Sequence, residues 1–203
     1  MKILKLNSKS FAKIIRKVIK EIKDGKVIIL PTDTVYGLIC DATNKKAVRK
    51  IFKIKKRPKN KPLPIFVKDM VMAKKIAEIN KKQENFIKKV WPGKVTVRLK
   101  RTLRRGPGQA RIKLYGVDKE TIALRIPKYK FLNSLLKEIN IPLAQTSVNI
   151  SGQPTITDVK DILKIFKNNK YQPDLAVYNN GSKNCLPSKI FDLTKNKIKI
   201  LRK

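Results

Sequence analysis

The sequence predicts an α+β fold of the three-layer type, a twisted, mixed β-sheet with helices packed on it, and three observations predict it. Short β-branched apolar runs alternate with longer stretches at helical spacing along the whole chain. Hydrophobic residues form 41% of the 203 and are spread evenly, enough for one sizeable core. No internal repeat or low-complexity linker divides the chain, so residues 1–203 read as a single domain.

The first element is a helix, because Phe11, Ile14, Ile15, Val18, Ile19 and Ile22 share one face behind Ser8 and Ser10 and Gly25 stands where it would end. Val27 to Leu30 is too short and too β-branched for a helix and reads as a buried strand closed by Pro31. Asn44 can cap a second helix carrying Ala47, Val48, Ile51 and Phe52, which must stop before Pro58. Ile65 to Val67 reads as a strand, Asp69 to Ile79 and Gln83 to Val90 as helices, and Trp91, Pro92 and Gly93 as a turn. Val95, Val97 and Leu99 alternate with basic residues, the period of a strand. Thr102 to Lys119 is a basic loop. A strand over Thr121 to Ile126, a helix over Lys130 to Ile139 and a strand over Pro142 to Gln145 come next. A helix over Asp158 to Phe166, a strand over Asp174 to Tyr178, a turn at Asn180-Gly181 and short strands around Ile190 and Ile198 complete the chain.

Composition excludes more than it assigns. There is no histidine, so Ser-His-Asp and Cys-His nucleophile systems, His-ligated zinc and imidazole bases are absent. Cys40 and Cys185 are too few for a disulfide framework or a CxxC metal site and suit a reducing compartment as buried thiols. No apolar stretch reaches a membrane span of roughly 18 residues, and lysines interrupt the N-terminus where a signal peptide would be apolar, which together predict a cytoplasmic protein. The net charge of +36 fits a polyanionic partner such as tRNA, but the basic residues are mostly lysine, and solvated surface written by compositional drift explains them equally well.

Three clusters can carry chemistry. Pro31-Thr32-Asp33-Thr34-Val35-Tyr36-Gly37-Leu38 follows a buried strand, where hydroxyls can bind a polar ligand or instead close a turn on their own backbone. Lys55, Arg57 and Lys59 flank Pro58 where the chain leaves a helix, a point charge and a planar fork suited to a triphosphate or to solvent. Thr146-Ser147-Val148-Asn149-Ile150-Ser151-Gly152 follows another buried strand, either as an anion-holding loop or as a plain connection.

In this order the chain resembles the YrdC/Sua5 family: the Pro-Thr-Asp-Thr-Val-Tyr-Gly-Leu segment, Lys55-Lys56-Arg57-Pro58, Trp91-Pro92-Gly93, Ala123-Leu124-Arg125-Ile126-Pro127, Ser147-Val148-Asn149, Pro187-Ser188 and Leu201-Arg202. The resemblance implies the short single-domain form with the YrdC/RibB-like fold. It implies a nucleotidyltransferase that makes threonylcarbamoyl-AMP and pyrophosphate from L-threonine, bicarbonate and ATP, for threonylcarbamoyladenosine in tRNA. By the same resemblance Thr32, Arg125 and Ser188 fall at threonine-binding positions, and Lys55, Arg57, Lys59, Ser147, Asn149, Thr155 and Arg202 at ATP-binding positions, with Lys55 and Arg57 as the catalytic pair. Mg²⁺ is expected to arrive with ATP, since no clustered carboxylates cage it. tRNA or the tRNA threonylcarbamoyl transferase proteins are the implied partners, with no membrane involved.

The chain departs from the family pattern at Ile39, where glycine is usual, at Lys189, where threonine is usual, and at Phe66, near a histidine of some members. A non-catalytic tRNA- or double-stranded-RNA-binding module of the same fold is the competing expectation, with Arg98, Lys100, Arg101, Arg104, Arg105 and Arg111 as its grip.

Overall fold

The structure, a computed structural model, describes every residue except 103–111, 157, 168, 180–185 and 196. Spacings of three and four residues put Ile14, Ile15, Val18 and Ile22 on one side of helix α1 (Phe11–Lys23), and all four are buried. They pack with Phe131, Leu132, Leu135, Leu136 and Ile139 of α5 (Lys130–Ile139), so the two helices make one layer. That layer covers Ile28 and Leu30 of β2 (Ile28–Leu30), Ile39 of β3 (Gly37–Asp41), Leu143 of β7 (Leu143–Ser147) and Leu175 and Val177 of β8 (Leu175–Tyr178).

The intervening strand residues Ile29, Leu38, Cys40, Ala144 and Ala176 belong to the opposite core, where α2 (Lys45–Lys55) and α6 (Val159–Lys167) supply Ala47, Val48, Ile51, Ile162 and Phe166. Strands covered on both faces have no polar side to show, which is why they read as continuous apolar runs. Three layers result.

The remaining strands are β1 (Lys2–Lys5), β4 (Ile65–Phe66), β5 (Val95–Lys100), β6 (Thr121–Arg125), β9 (Lys189–Asp192) and β10 (Lys199–Arg202). The sheet order is β1-β8-β2-β3-β7-β4-β6-β5-β9-β10. It is mixed: β8 runs parallel to β1 and β2, β4 to β6 and β5 to β9, whereas the β2-β3, β3-β7, β4-β7, β5-β6 and β9-β10 pairs are antiparallel. Register carries one face across the sheet. Phe66 pairs with Arg125, Ala123 with Arg98, and Thr96 with Ile190, so these residues share the face that α1 and α5 cover farther along. On the β6-β5-β9-β10 half the same face is polar and holds a cleft.

The predicted fold class is the observed one, and most elements fall where their spacing places them. Asn44 caps α2 by accepting from the Ala47 N–H at 3.0 Å, and α2 ends at Lys55, before Pro58. Three elements differ from expectation. Asp69 to Ile79 is not one helix: α3 (Met70–Lys74) is short, and the chain then pairs with the end of β5, Glu78 N–H donating to Lys100 O and Thr102 N–H to Ile76 O. Strand β3 lies within and beyond the Thr-rich segment, and β1 precedes α1; neither was anticipated. The Asn180-Gly181 turn and Cys185 lie outside the described residues. Cys40 is a buried thiol, and desolvation raises its pKa far above the ordinary range.

Helix α4 (Lys81–Val90) leads through a cis Trp91-Pro92 peptide to Gly93. Gly93 is where a side chain cannot be added, because a Cβ there would stand 2.4 Å from the Val90 carbonyl oxygen. Its own N–H donates to Ile126 O. Gly93→Ala is therefore expected to destabilise the fold by about 2 kcal/mol. In a chain of this size that is a Tm lowered by roughly 4–8 °C, measured by calorimetry.

Candidate active site

Period-two alternation builds the floor of the cleft. On β6, Ile122 and Leu124 enter the core, while Thr121, Ala123 and Arg125 line a cavity of about 480 Å³. Gln145 and Ser147 of β7, Arg98 of β5, Ile190 of β9 and Arg202 of β10 join them, with Thr34, Val35, Arg57, Asp118 and Ser188 at the rim. Arg202 reaches this face because the β9-β10 register slips: Ile200 pairs with Phe191 but Arg202, not Leu201, pairs with Ile190.

Arg125 is 2% exposed, and three partners share its guanidinium. Nε donates to Gly93 O at 2.9 Å, Nη1 to Thr34 Oγ1 at 3.1 Å and Nη2 to Asp33 Oδ1 at 2.5 Å. Its carbon lies 5.7 Å from the centroid of the Phe66 ring, a cation–π contact. Burial depresses the Arg125 pKa and Asp33 opposes that depression. Thr32 Oγ1 donates to Val35 O at 2.8 Å and is 3.0 Å from Thr34 Oγ1. With the Thr32 proton committed, Thr34 must donate to Thr32, leaving its lone pairs for Arg125. Thr32 closes a turn on its own backbone, whereas Asp33 reaches away from it to Arg125 and Lys128. Thr34, not Thr32, lines the cleft.

Lys55 is 1% exposed at the end of α2. Its ammonium donates to Ser147 O at 2.6 Å, Asn149 O at 2.8 Å and Asn149 Oδ1 at 2.7 Å, one acceptor for each proton. Burial, with a smaller push from Arg57, lowers its pKa to about 7, and the three acceptors oppose that by favouring the charged form. Its backbone also holds the loop, since Ser151 N–H donates to Lys55 O. A phosphate contact from Lys55 would require one of these bonds to be given up.

Arg57 and Arg202 differ from the other cleft arginines in their partners. Arg57 donates to Lys61 O and Pro62 O, and Arg202 to Ser188 O at 2.8 Å and Ser188 Oγ at 3.2 Å. Among the described residues neither has a carboxylate partner, whereas Arg125 pairs with Asp33 and Arg98 with Asp192. The uncompensated charge of the cleft is thus at Arg57 and Arg202. Desolvation lowers both pKa values, Arg125 adding a smaller push at Arg202. Asp118 accepts from Thr121 N–H, Thr121 Oγ1 and Glu120 N–H on one oxygen, and the Thr121 bonds hold its carboxyl below the usual range. It is no poised base.

Of the residues expected from sequence, the structure brings Arg57, Arg125, Ser147, Ser188 and Arg202 to one cavity. Thr32, Lys55 and Asn149 lie directly behind it, each bonded to a neighbour that lines it or to its loop. Lys59 is exposed and Thr155 half-buried, and neither lines the cavity. Sequence reasoning passed over Asp33 and Thr34 although both stood in the quoted segment. Arg98 was expected in an RNA grip rather than in this cleft, and Thr121 only as the start of a strand. No group of three or more His, Cys, Asp or Glu capable of holding a metal occurs among the described residues.

Among the described residues, a mixed sheet carrying a cationic, hydroxyl-lined cleft whose one lining carboxylate is already hydrogen-bonded has the chemistry to suit small anions. The chain belongs to the Sua5/YciO/YrdC family, whose sequence model, described as telomere recombination, matches residues 20–203. A Methanocaldococcus jannaschii protein provisionally named a threonylcarbamoyl-AMP synthase is 37% identical over 204 residues, covering 100% of this chain and 91% of its own. The Pyrococcus abyssi threonylcarbamoyl-AMP synthase is 34% identical over 146 residues, 71% of this chain and 41% of that protein. The crystal structure of Pyrococcus abyssi Sua5 complexed with L-threonine superposes with a TM-score of 0.85 at 28% identity, covering 100% of this chain and 57% of that one. This chain therefore spans about two fifths of the Pyrococcus protein in the sequence comparison.

Removing the Lys55 ammonium takes a charged donor from three acceptors, of which Asn149 Oδ1 keeps the Ser147 hydroxyl as a donor. Lys55→Met is expected to cost about 3 kcal/mol. In a chain of this size that is a Tm lowered by roughly 6–12 °C. Hydrogen exchange should accelerate first at the amides of Val148 and Ser151, ahead of the α1 amides that report on the other core.

Proposed function

We propose that this protein is a threonylcarbamoyl-AMP synthase that joins L-threonine, bicarbonate and ATP into threonylcarbamoyl-AMP and pyrophosphate. The observation that carries the reading is the convergence of Arg57, Arg125, Ser147, Ser188 and Arg202, far apart in sequence, on one cleft. The names of the Methanocaldococcus and Pyrococcus relatives support the same activity, and the threonine complex of Pyrococcus abyssi Sua5 supports the amino-acid substrate.

Chemistry in such a cleft needs no side-chain base for the second step. Threonine nitrogen and bicarbonate condense to a carbamate with loss of water; a carbamate oxygen, already anionic, then attacks the α-phosphorus of ATP, and the bond to pyrophosphate breaks. Arg57 and Arg202, the uncompensated cations, neutralise phosphate charge. Ser147 and Asn149 place the nucleotide, and Lys55 acts by fixing both. Arg125, Thr34 and Ser188 orient threonine, with Thr32 holding Thr34 in turn. Lys59 and Thr155 are outer contacts that only closure around the nucleotide would bring in. Mg²⁺ enters as part of its ATP complex, bound by phosphate oxygens and water, because Asp33 and Asp192 beside the cleft are paired with arginine and the lone rim carboxylate among the described residues, Asp118, already accepts three bonds on one oxygen.

We place the protein in the cytoplasm, supplying the product for tRNA threonylcarbamoyladenosine to tRNA or to the transferase proteins. Among the described residues no helix is long and apolar enough to cross a membrane. The RNA-binding alternative has less to support it: Arg104, Arg105 and Arg111 lie outside the described residues, Arg98 faces the cleft, and Arg101 donates to Asp118 O.

Incubation with ATP, Mg²⁺, bicarbonate and threonine should release pyrophosphate and accumulate threonylcarbamoyl-AMP, measured by mass spectrometry. Pyrophosphate appearing equally without threonine or bicarbonate would refute the synthase reading. Arg57→Ala and Arg202→Ala should each raise the KM for ATP by roughly 10- to 100-fold, the scale of a charge-assisted contact. Lys20→Ala, on the exposed face of α1, should leave it unchanged.

A further inference from the structure

We propose that Asp33 is a positioning and specificity-determining residue: it neutralises Arg125 so that this arginine orients a carboxylate without capturing phosphate. The inference rests on the synthase reading for its substrate but on the ion pair alone for its electrostatics.

Four arginines line the cleft, and an ATP-sized polyanion would be drawn to any of them that was bare. Arg125 is not bare. Asp33 Oδ1 lies 2.5 Å from its Nη2, and the two side chains are 6% and 2% exposed, so solvent does little to weaken the pairing. The other oxygen, Oδ2, accepts the Lys128 N–H at 2.9 Å, which fixes the carboxylate from both sides. Asp33 thus ties the loop after β2 to the segment after β6 and sets the plane of the guanidinium.

Three of the five guanidinium N–H groups are committed, to Gly93 O, Thr34 Oγ1 and Asp33 Oδ1, which leaves two donors without a partner among the described residues. A pair with no net charge but with two aimed donors suits a single carboxylate, such as that of an amino acid, whose own charge is small. A triphosphate or pyrophosphate gains far more from the bare charges at Arg57 and Arg202. The cleft is partitioned: an uncompensated end for phosphate and a compensated end for the amino acid. Asp33 makes the partition, since without it Arg125 would become a third bare cation.

The test uses pyrophosphate binding to the unliganded protein by calorimetry, alongside the KM values for threonine and ATP. Asp33→Asn removes the charge and is expected to tighten pyrophosphate binding about tenfold. It should also raise the KM for threonine at least tenfold, with that for ATP unchanged or lower. Asp33→Glu keeps the charge but displaces the carboxylate, so pyrophosphate affinity should stay at the wild-type value while the KM for threonine rises. If Asp33→Asn does not fold, as a thermal melt would report, the Asp33→Glu result decides. Pyrophosphate affinity equal to wild type in a folded Asp33→Asn protein overturns the proposal, as does loss of threonine and ATP affinity together in Asp33→Glu. An inactive wild type whose Asn variant still gains pyrophosphate affinity would overturn the synthase reading and leave the charge partition standing.

Discussion

Arg125 is the buried charge around which the cleft half of this sheet is arranged. A guanidinium at 2% exposure is tolerable only with its donors and its charge answered, and the answers come from two places in the chain. The turn before β5 gives a carbonyl, and the loop after β2 gives a hydroxyl and a carboxylate. Segments separated by about ninety residues are thereby held in one geometry by a single side chain. Lys55 plays the matching part across the cleft, where one ammonium answers three acceptors of the loop after β7.

Register explains why these charges share a face. Once Phe66 is opposite Arg125 and Arg98 opposite Ala123, period-two alternation sends the apolar neighbours Ile65, Leu124, Leu99 and Ile122 to the α2 side. One face is therefore continuous from the α1-α5 core to the floor of the cleft. It changes from apolar to polar at β4 and β6, where Phe66 lies against Arg125. The boundary between core and site is drawn by one ring.

The fold was legible because its main strands and helices carry strong periodicities: α1, α2, α5 and the buried runs of β2, β6 and β7 needed only spacing and punctuation. The misses have physical causes. Strand β1 is a half-exposed edge whose lysines mask its alternation, and β3 is fused to a hydroxyl-rich loop without a break in the sequence. The supposed long helix after Asp69 is cut because Ile76 and Glu78 find partners on β5, a tertiary choice that local propensity does not encode. In the site, Arg57 and Ser147 stood in clusters that the residues alone singled out, whereas Arg125, Ser188 and Arg202 were legible only through the family resemblance. The division of labour between Thr32 and Thr34, the saturation of Lys55 and the pairing of Asp33 depend on contacts ninety residues away, which no local pattern contains.

The slipped pairing at β10 carries a consequence for how the chain can change in length. Side-chain direction inverts with every residue, so the extra residue between Ile200 and Arg202 is what turns the guanidinium toward the cleft. Insertions in the connection from Leu193 to Ile198 leave that parity intact, because strand pairing resets it. Deleting Leu201 would close the bulge and give the arginine the in-register place opposite Ile190, so it would still face the cleft, whereas a regular ladder that kept Leu201 would aim Arg202 at the opposite face. At this point in the protein the strand can lose a residue without losing the direction of its arginine, because pairing with Ile190 is what sets it.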